Sequence, residues 1–341
     1  MSSASDVRRP IDPAAVAALR RTVRGRVAYP ADPAYAVARG ARPAAVVLAA
    51  DEADVAAAVR VARAHGLGVG RGDGALLVDV ALLAGVAVDP AARTASVGVG
   101  ATWREVLAAA TPHGLAPVPP WRLDDLVGPA VLGGAVGPFA ERLGLCSDHV
   151  DSLRVVGADG IVRPADDELR RGLLGGPAPG IVTEVELALA GPVPGSAEWL
   201  GATRTRISGD GRVRAVGWSD EAVERPAAWE RGFLLGDGAG DELEEVLVAI
   251  AADAGEVLVD VLGGATDRPT ENAADASGAH YLVTVRAAAE PRNGSPARLL
   301  EPWLTGGSLL AHHPVEPCWP PTTVERLAAL RRRHDPDGLF R

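Results

Sequence analysis

Lysine is absent from this sequence of 341 residues, so arginine supplies all 34 basic side chains against 44 acidic ones. The formal net charge is therefore −10. Because an acidic surface repels the phosphates of nucleic acids and the headgroups of anionic membranes, we expect neither as the main partner. We predict a small-molecule substrate or ligand, and we keep a protein partner as a further possibility.

Cysteine is almost as scarce, since the sequence contains Cys146 and Cys318 alone. Two cysteines do not form a disulfide framework, and these two lack metal-ligand spacing, so we predict no metal site. Long hydrophobic runs are also missing, because Gly, Pro or a charged residue divides each one, and no membrane-spanning helix is expected. The N-terminal residues 1–10 lack the apolar core of a secretory signal, so we expect a cytoplasmic protein.

The N-terminal part of the chain alternates between helices and short strands. Asp12 can cap a helix over Pro13–Arg21, because its carboxylate accepts from the free amides of the first turn. The β-branched run Arg42–Ala49 predicts a buried strand, and a helix follows over Asp51–His65. A further strand is predicted over Leu76–Val80. The length of the chain is sufficient for two domains.

A hairpin and a capped helix come next. Val86–Val88 and Thr94–Gly98 are predicted to pair as the hairpin. Thr102 and Glu105 have the spacing of a capping box, which opens a helix through Ala110.

The stretch Leu126–Leu189 organises the rest of the chain. It contains a Gly-rich turn at Gly133, Gly134 and Gly137, which we expect to lead into apolar strands. Glycine allows backbone to approach an extended ligand closely, so this turn is a candidate ligand contact. A strand–turn–strand pattern follows over Ser152–Arg163.

The second half of the sequence has a weaker pattern. Gly191–Gly195 is the best linker candidate because of its Gly and Pro content. The predicted elements after Gly133 are strands Ile181–Leu189, Arg212–Trp218, Val257–Leu262 and His280–Arg286, and helices Gly240–Ala252 and Thr323–Arg333.

These patterns together resemble the PCMH-type flavin oxidases, the vanillyl-alcohol-oxidase and berberine-bridge-enzyme group. The segments that carry the resemblance are the strand–helix unit from Arg42, Gly100–Trp103 (G-A-T-W), Val155–Gly160 (V-V-G-A-D-G), Gly180–Thr183 (G-I-V-T) and His334–Arg341 (H-D-P-D-G-L-F-R). The resemblance implies an α+β protein with a PCMH-type FAD-binding fold of two subdomains, plus a smaller sheet-and-helix substrate-type domain.

The same resemblance divides the chain into three parts. Residues 1–190 would form the FAD-binding-like domain, and residues 196–320 the substrate-type domain. Residues 321–341 would form a C-terminal helix and tail that return to the first domain.

The implied cofactor is FAD, and it would be held without a covalent bond because the usual histidine is missing. The residues that match the family's cofactor-binding segments are Arg71, Gly72, Gly74, Gly133, Gly134, Gly137, Gly180, Ile181 and Val182. These positions are expectations from the resemblance.

The sequence departs from the family at the segments that surround the flavin diphosphate. The Gly-rich loop is cut to Arg71–Gly74, for which a simple tight turn is the alternative interpretation. Positions that normally carry hydroxyl groups fall on Leu123, Asp124 and Asp125. A carboxylate beside a diphosphate costs roughly 1–4 kcal/mol at about 4 Å, unless it points to solvent or caps a helix.

Further departures lie beside the adenosine half of FAD and near the reacting end of the flavin. Pro177 and Pro179 each remove an amide donor. Leu309 and Ala311 replace a Tyr and an Asn that the family uses for chemistry. Because the sequence ends at Arg341, we also expect a terminal Asn contact to be missing.

Two kinds of function follow from this pattern. The chain is expected to be an FAD-linked oxidase or oxidoreductase that acts on a small organic molecule, with a weakened or lost flavin site. Alternatively it is a flavin-free descendant, either a non-redox cyclase, isomerase or lyase or a non-catalytic partner protein. The candidate acid and base residues are Asp124, Asp125, His312 and His313, to which Asp73 adds a further carboxylate.

Overall fold

The computed structural model describes residues 11–30, 32, 35, 42–190, 203–217, 227–237, 240–291, 296–307, 309–313 and 319–341. The predicted linker Gly191–Gly195 and Cys318 lie outside these residues.

Helices and strands alternate through the described parts of the chain. The α-helices are α1 (Pro13–Thr22), α2 (Glu52–Ala64), α3 (Trp103–Ala110), α4 (Val127–Gly133), α5 (Ala140–Leu143), α6 (Asp167–Leu173), α7 (Asp241–Ala254), α8 (Pro296–Leu300) and α9 (Pro321–His334). The strands are β1 (Arg26–Ala28), β2 (Ala45–Leu48), β3 (Leu76–Asp79), β4 (Val86–Asp89), β5 (Thr94–Gly98), β6 (Val150–Val156), β7 (Val162–Pro164), β8 (Ile181–Ala188), β9 (Thr203–Ser208), β10 (Val213–Gly217), β11 (Trp229–Leu235), β12 (Gly255–Val261) and β13 (Tyr281–Ala287).

The first sheet, within the described residues, has the strand order β1-β2-β3, and β2 and β3 are parallel. The alanine-rich helix α2 packs its buried face into the same core as α1 and β2. Asp54 of α2 is buried and accepts hydrogen bonds from the backbone amides of Arg24, Gly25 and Ala50. This carboxylate therefore ties the helix to the strands beside it.

The second sheet has the order β4-β5-β8-β6-β7 among the described strands, and its neighbours are antiparallel. Helices α3, α4 and α6 contribute to the core on this sheet, with Trp103 fully buried in it. Glu52 of α2 binds Arg154 of β6 and Thr183 of β8, so the first two units are joined by a charged contact.

The third sheet has the order β10-β9-β12-β13-β11 in the described residues, again with antiparallel neighbours. Successive side chains on a strand point to opposite faces. One face is apolar, since Ile207, Val257 and Val283 share a core cluster with Leu247 of α7. The opposite face carries Arg, Glu and Asp side chains and lies towards the first two units.

The C-terminal segment lies against the N-terminal half of the chain. Leu327 and Leu330 of α9 belong to the core of the second sheet, and Leu339 belongs to the core around α2. Phe340 forms a parallel bridge with Val69. The domain boundaries expected from the sequence stay a prediction.

The sequence analysis assigned no secondary structure to the residues directly before the Gly-rich turn. They form helix α4. Gly134 ends this helix in the left-handed conformation, with a φ of 69°, which a residue without Cβ adopts at little cost. Strands β9 and β11 had no counterpart in the sequence interpretation.

Candidate functional site

A cleft of about 810 Å³ lies between the Gly-rich turn and the charged face of the third sheet. Its wall on the N-terminal side is formed by residues 120–136, and the short segment 310–313 lies at its side. The lining residues are Arg71, Pro120, Trp121, Arg122, Asp125, Leu126, Pro129, Ala130, Leu132, Gly133, Ala135, Val136, Arg204, Glu230, Leu258, Thr284, Arg286, Leu310, Ala311, His312 and His313.

The segment 309–313 packs directly on the Gly-rich turn. A Cβ atom built on Gly133 would lie 2.5 Å from the backbone nitrogen of Ala311, so only glycine fits there without displacement. The amide of Val136 donates a hydrogen bond to Nε2 of His312, with a distance of 3.0 Å. The close approach that the glycine permits is therefore used by the chain itself.

His312 is held as a neutral imidazole. Since Nε2 accepts a hydrogen bond, the ring proton must be on Nδ1. Burial of the ring, helped by the nearby charges of Arg204, His313 and Arg122, lowers the pKa of His312 to about 3. At neutral pH this side chain therefore offers an N–H donor from Nδ1 and carries no charge.

A row of charged residues crosses three neighbouring strands of the third sheet. The register places Glu230 of β11 and Glu256 of β12 on either side of Arg286 of β13. Arg286 lies 2.8 Å from Glu256 and 3.4 Å from Glu230, and its side chain is 8% exposed. Opposite charges directly across strands stabilise such a pairing.

Three further ion pairs extend this row. Arg204 of β9 lies 3.0 Å from Asp260 of β12, and both are buried. Arg122 lies 3.1 Å from Asp125 and 3.7 Å from Glu230, and so connects the sheet to the wall of residues 120–136.

Two buried polar atoms of the cleft wall have no hydrogen-bond partner among the described residues. They are Nε1 of Trp121 and Oγ1 of Thr284. Trp121 is 6% exposed and Thr284 is 2% exposed. The guanidinium of Arg204 lies over the Trp121 ring, 5.0 Å from its centre. Buried polar groups normally find a partner, so these two atoms have unused hydrogen-bonding capacity.

Comparison with known proteins identifies similar sequences and similar folds. Residues 43–165 match the FAD-binding domain family. BBE-like 1 from Physcomitrella patens has the same fold, with a TM-score of 0.79, 16% identity, and coverage of 96% of this chain and 97% of that chain. Residues 43–165 therefore resemble an FAD-binding domain, and the chain has the fold of a berberine-bridge-enzyme-like protein.

Two other known proteins are similar to this chain, one in sequence and one in fold. The (R)-6-hydroxynicotine oxidase of Paenarthrobacter nicotinovorans is 28% identical over 192 residues. That match covers 49% of this chain and 42% of the relative, so the chain spans less than half of that protein's length. Phl p 4.0202, a glucose dehydrogenase, has a TM-score of 0.77 with 15% identity, over 96% of this chain and 98% of that one.

The structure brings together some of the site residues that the PCMH-type resemblance implied. Arg71, Asp125, Gly133, His312 and His313 all line the cleft. The remaining cofactor-binding expectations lie outside the lining, and these are Gly72, Gly74, Gly134, Gly137, Gly180, Ile181 and Val182. A role for any of these residues in binding stays a prediction.

The two neighbouring carboxylates have separate environments. Asp124 lies outside the cleft lining, is exposed, and pairs with Arg104 at 2.7 Å, which lowers the pKa of Asp124. Asp125 lines the cleft and pairs with Arg122. Asp124 therefore fits the alternative interpretation, in which the carboxylate points to solvent.

The shortened Gly-rich loop is a tight turn. The amide of Gly74 donates to the carbonyl of Arg42 at 3.0 Å, and the amide of Ala75 donates to Gly72 at 3.1 Å. Asp73 accepts from the amide of Arg42 at 3.2 Å. These groups are engaged within the chain and are turned away from any other acceptor.

The sequence interpretation missed the charged wall of the third sheet. The run Thr203–Arg206 reads T-R-T-R, and its alternation places both arginines on one face of a strand. That signal was available in the sequence. The positions of Trp121, Glu230 and Thr284 beside it depend on pairing between distant segments, and no local pattern indicates them.

The described residues were also searched for two other features. Among them, no three His, Cys, Asp or Glu side chains are grouped as a metal site requires. No helix in the described ranges has the length and apolar character needed to cross a bilayer.

Proposed function

We propose that this chain is an FAD-linked oxidase family protein that acts on a small organic molecule in the cleft, with a flavin site that is weakened or lost. The contact between Gly133 and Ala311 carries this proposal. The resemblance implies that the turn at Gly133 contacts the cofactor, whereas here the chain's own backbone packs against it.

The glycines around the turn support the same proposal. A Cβ atom on Gly134 would lie 2.5 Å from Cβ of Ala274, and one on Gly137 would lie 2.0 Å from the carbonyl oxygen of Pro119. Each glycine is thus explained by a neighbouring segment of the protein. None of them needs a ligand to account for its small size.

The donors available for a diphosphate are also few. A diphosphate is normally held by a concave set of free backbone amides. The amides of Gly70, Gly74 and Ala75 are all donated within the chain. Asp125 places a carboxylate where the resemblance implies a hydroxyl group. These residues do not fit the diphosphate of FAD in the manner of the family.

A specific observation favours a second candidate, a non-redox enzyme that uses the same cleft. His312, with a neutral imidazole, and Asp125 both line it, and an imidazole and a carboxylate are the usual groups for proton transfer. Under this alternative, the cleft would catalyse a cyclisation, isomerisation or elimination without flavin.

The test is an absorption spectrum of the purified full-length chain after incubation with excess FAD and removal of unbound FAD on a desalting column. We expect no flavin bands in the protein fraction. Flavin retained in a one-to-one ratio would overturn the loss of the site and support an active oxidoreductase.

A variant with Asp124→Ser and Asp125→Ser serves as the matched comparison, because it replaces both carboxylates with the hydroxyl groups that the resemblance implies. If the carboxylates repel the diphosphate, this variant should retain more FAD than the original chain. An unchanged result would show that the packed turn alone prevents binding.

A further inference from the structure

The cleft offers hydrogen-bond donors in excess of free acceptors. Trp121 contributes an indole N–H, which is a donor only, and Thr284 contributes a hydroxyl group. His312 offers the N–H of Nδ1, since its other ring nitrogen accepts from Val136. The carboxylates of Asp125 and Glu230 are both already within ion-pair distance of Arg122. A ligand that satisfies this wall must be rich in acceptors.

The charge of the lining has the opposite sign to that of the whole protein. Four arginines line the cleft against two carboxylates, whereas the chain has a net charge of −10. The ion-paired residues directly behind the wall are Arg206, Glu256 and Asp260, and including them still leaves five positive charges against four negative ones. A concave site with this excess attracts anions.

The opposite part of the cleft is apolar. Leu126, Pro129, Ala130 and Leu310 contribute to its lining, and Leu258 adds an apolar side chain on the sheet side, across from Thr284. The combination of an apolar surface with a few convergent polar groups is typical of sites for small organic molecules. An inorganic anion would leave this apolar surface uncovered.

We propose that the cleft binds an organic carboxylate with an apolar or aromatic body. The carboxylate lies against Trp121 and Thr284 beside the arginine row of the third sheet, and the body lies against the leucine and proline side chains. This inference deepens the proposed function by naming a ligand class for the same cleft. It depends on that function only for the choice of cleft, because the donors belong to the protein whether or not flavin is present.

The test is isothermal titration calorimetry of the full-length chain with benzoate, phenylacetate and hexanoate. At least one of these probes should bind in a one-to-one ratio. Benzamide, the neutral counterpart of benzoate, should bind at least tenfold more weakly, because it lacks the charge that the arginine row attracts. Failure of all three acids to bind, or equal binding of benzamide, would overturn the proposal. If inorganic phosphate binds more tightly than the acids, the claim that the ligand has an apolar body is wrong.

The variants Thr284→Val and Trp121→Phe locate the binding site. Thr284→Val removes a hydroxyl donor and keeps the shape of the side chain, whereas Trp121→Phe removes the indole N–H and leaves a smaller aromatic ring. Affinity for the acid should fall roughly tenfold for each. The matched controls are Thr205→Val, on the opposite and exposed face of β9, and Trp229→Phe, which packs in the core beside α7. Both controls should leave the affinity unchanged.

Folding of the variants is checked independently by thermal unfolding without ligand. Because the hydroxyl of Thr284 has no partner among the described residues, Thr284→Val should unfold at the same or a higher temperature than the original chain. A loss of affinity in a variant of unchanged stability is then due to the missing donor. Equal loss in the control variants would contradict the assigned position.

The outcomes separate the two proposals. If FAD is retained, the proposal that the flavin site is lost is wrong, and the titration is repeated on the flavin-loaded chain. If the acids then bind with the same dependence on Thr284, the ligand class stands while the flavin proposal falls. If FAD is not retained and the acids do not bind, the ligand class fails alone.

Discussion

The backbone amide of Val136 donates a hydrogen bond to Nε2 of His312, and this contact of 3.0 Å joins the Gly-rich turn to a segment 176 residues further along the chain. It fixes the tautomer of His312 and holds Ala311 against Gly133. One hydrogen bond therefore determines both the shape of the cleft and the donor that His312 presents to it.

His312→Gln should remove one component of the protein's sensitivity to acid. The folded pKa of His312 is about 3, against an ordinary value of 6.5, so between these pH values the unfolded chain binds a proton that the folded chain does not. Protonation thus favours unfolding, and stability is lost as the pH falls below 6.5. Glutamine keeps an acceptor for Val136 without this titration.

The measurement is urea-induced unfolding at several pH values between neutrality and about pH 4. This range includes the ordinary pKa of histidine. The stability of His312→Gln should fall less steeply with acid than that of the original chain. His113→Gln, at an exposed position in a short 3-10 helix, is the control and should leave the slope unchanged. Equal slopes in the original chain and in His312→Gln would contradict the neutral histidine.

Gly133→Ala should destabilise the protein, because the new methyl group would lie 2.5 Å from the amide nitrogen of Ala311. We expect a loss of about 1–3 kcal/mol, which is the usual range for overpacking. The control is Gly72→Ala, where nothing lies within 4 Å of the added Cβ. Thermal or urea unfolding compares the two, and similar stabilities would show that segment 309–313 does not pack on the turn.

Arg286→Met should destabilise the third sheet. It leaves Glu230 and Glu256 without their shared cation in a largely buried position. Removing one partner of a buried pair typically costs about 3–5 kcal/mol, and we expect about 2–4 kcal/mol here because Glu256 keeps some contact with water. Arg212→Met is the control, since its pair with Asp210 is exposed and should contribute less than about 1 kcal/mol.

Asp54→Asn should weaken the connection between α2 and the first sheet. Burial raises the pKa of Asp54. The hydrogen bonds from the backbone amides of Arg24, Ala50 and Gly25 together lower it by more, so the net shift of the pKa is downward. The carboxylate therefore stabilises the fold above the ordinary pKa of 3.8, and this contribution is lost as the pH falls through the folded value.

An asparagine at position 54 would place an NH2 group against backbone N–H donors. We expect a loss of about 2–3 kcal/mol at neutral pH, measured by urea unfolding. Asp337→Asn, which removes the charge of an exposed pair with Arg63, should cost less than about 1 kcal/mol. A cost for Asp54→Asn as small as for this control would contradict the three backbone hydrogen bonds.

Much of the fold was predictable from local sequence signals. The cap at Asp51, the capping box of Thr102 and Glu105, and the hairpin around Asp89 all form as their spacing predicted. Each depends on residues within a few positions of one another, so the chain encodes it locally. The segments from Arg42 to Gly160 supplied the resemblance to an FAD-binding domain, and the comparison finds that domain over residues 43–165.

Local patterns did less well for the Gly-rich stretch and the second half. Val127–Gly133 contains two valines, two glycines and a proline, a composition that helix propensity disfavours, yet tertiary packing makes it a helix. Strand β11 pairs with β13 along its whole length, and no turn signal marks that pairing.

The sequence by itself determined the resemblance to an FAD-binding domain, the net negative charge and the departure from the usual flavin-binding segments. Only the tertiary structure decided what surrounds the cleft. The antiparallel register of three strands places Glu230, Arg286 and Glu256 in one row. The packing of segment 309–313 on the Gly-rich turn places His312 against Val136. These contacts join residues tens to hundreds of positions apart, so their geometry is fixed by the packing of whole elements and cannot be read from neighbouring residues.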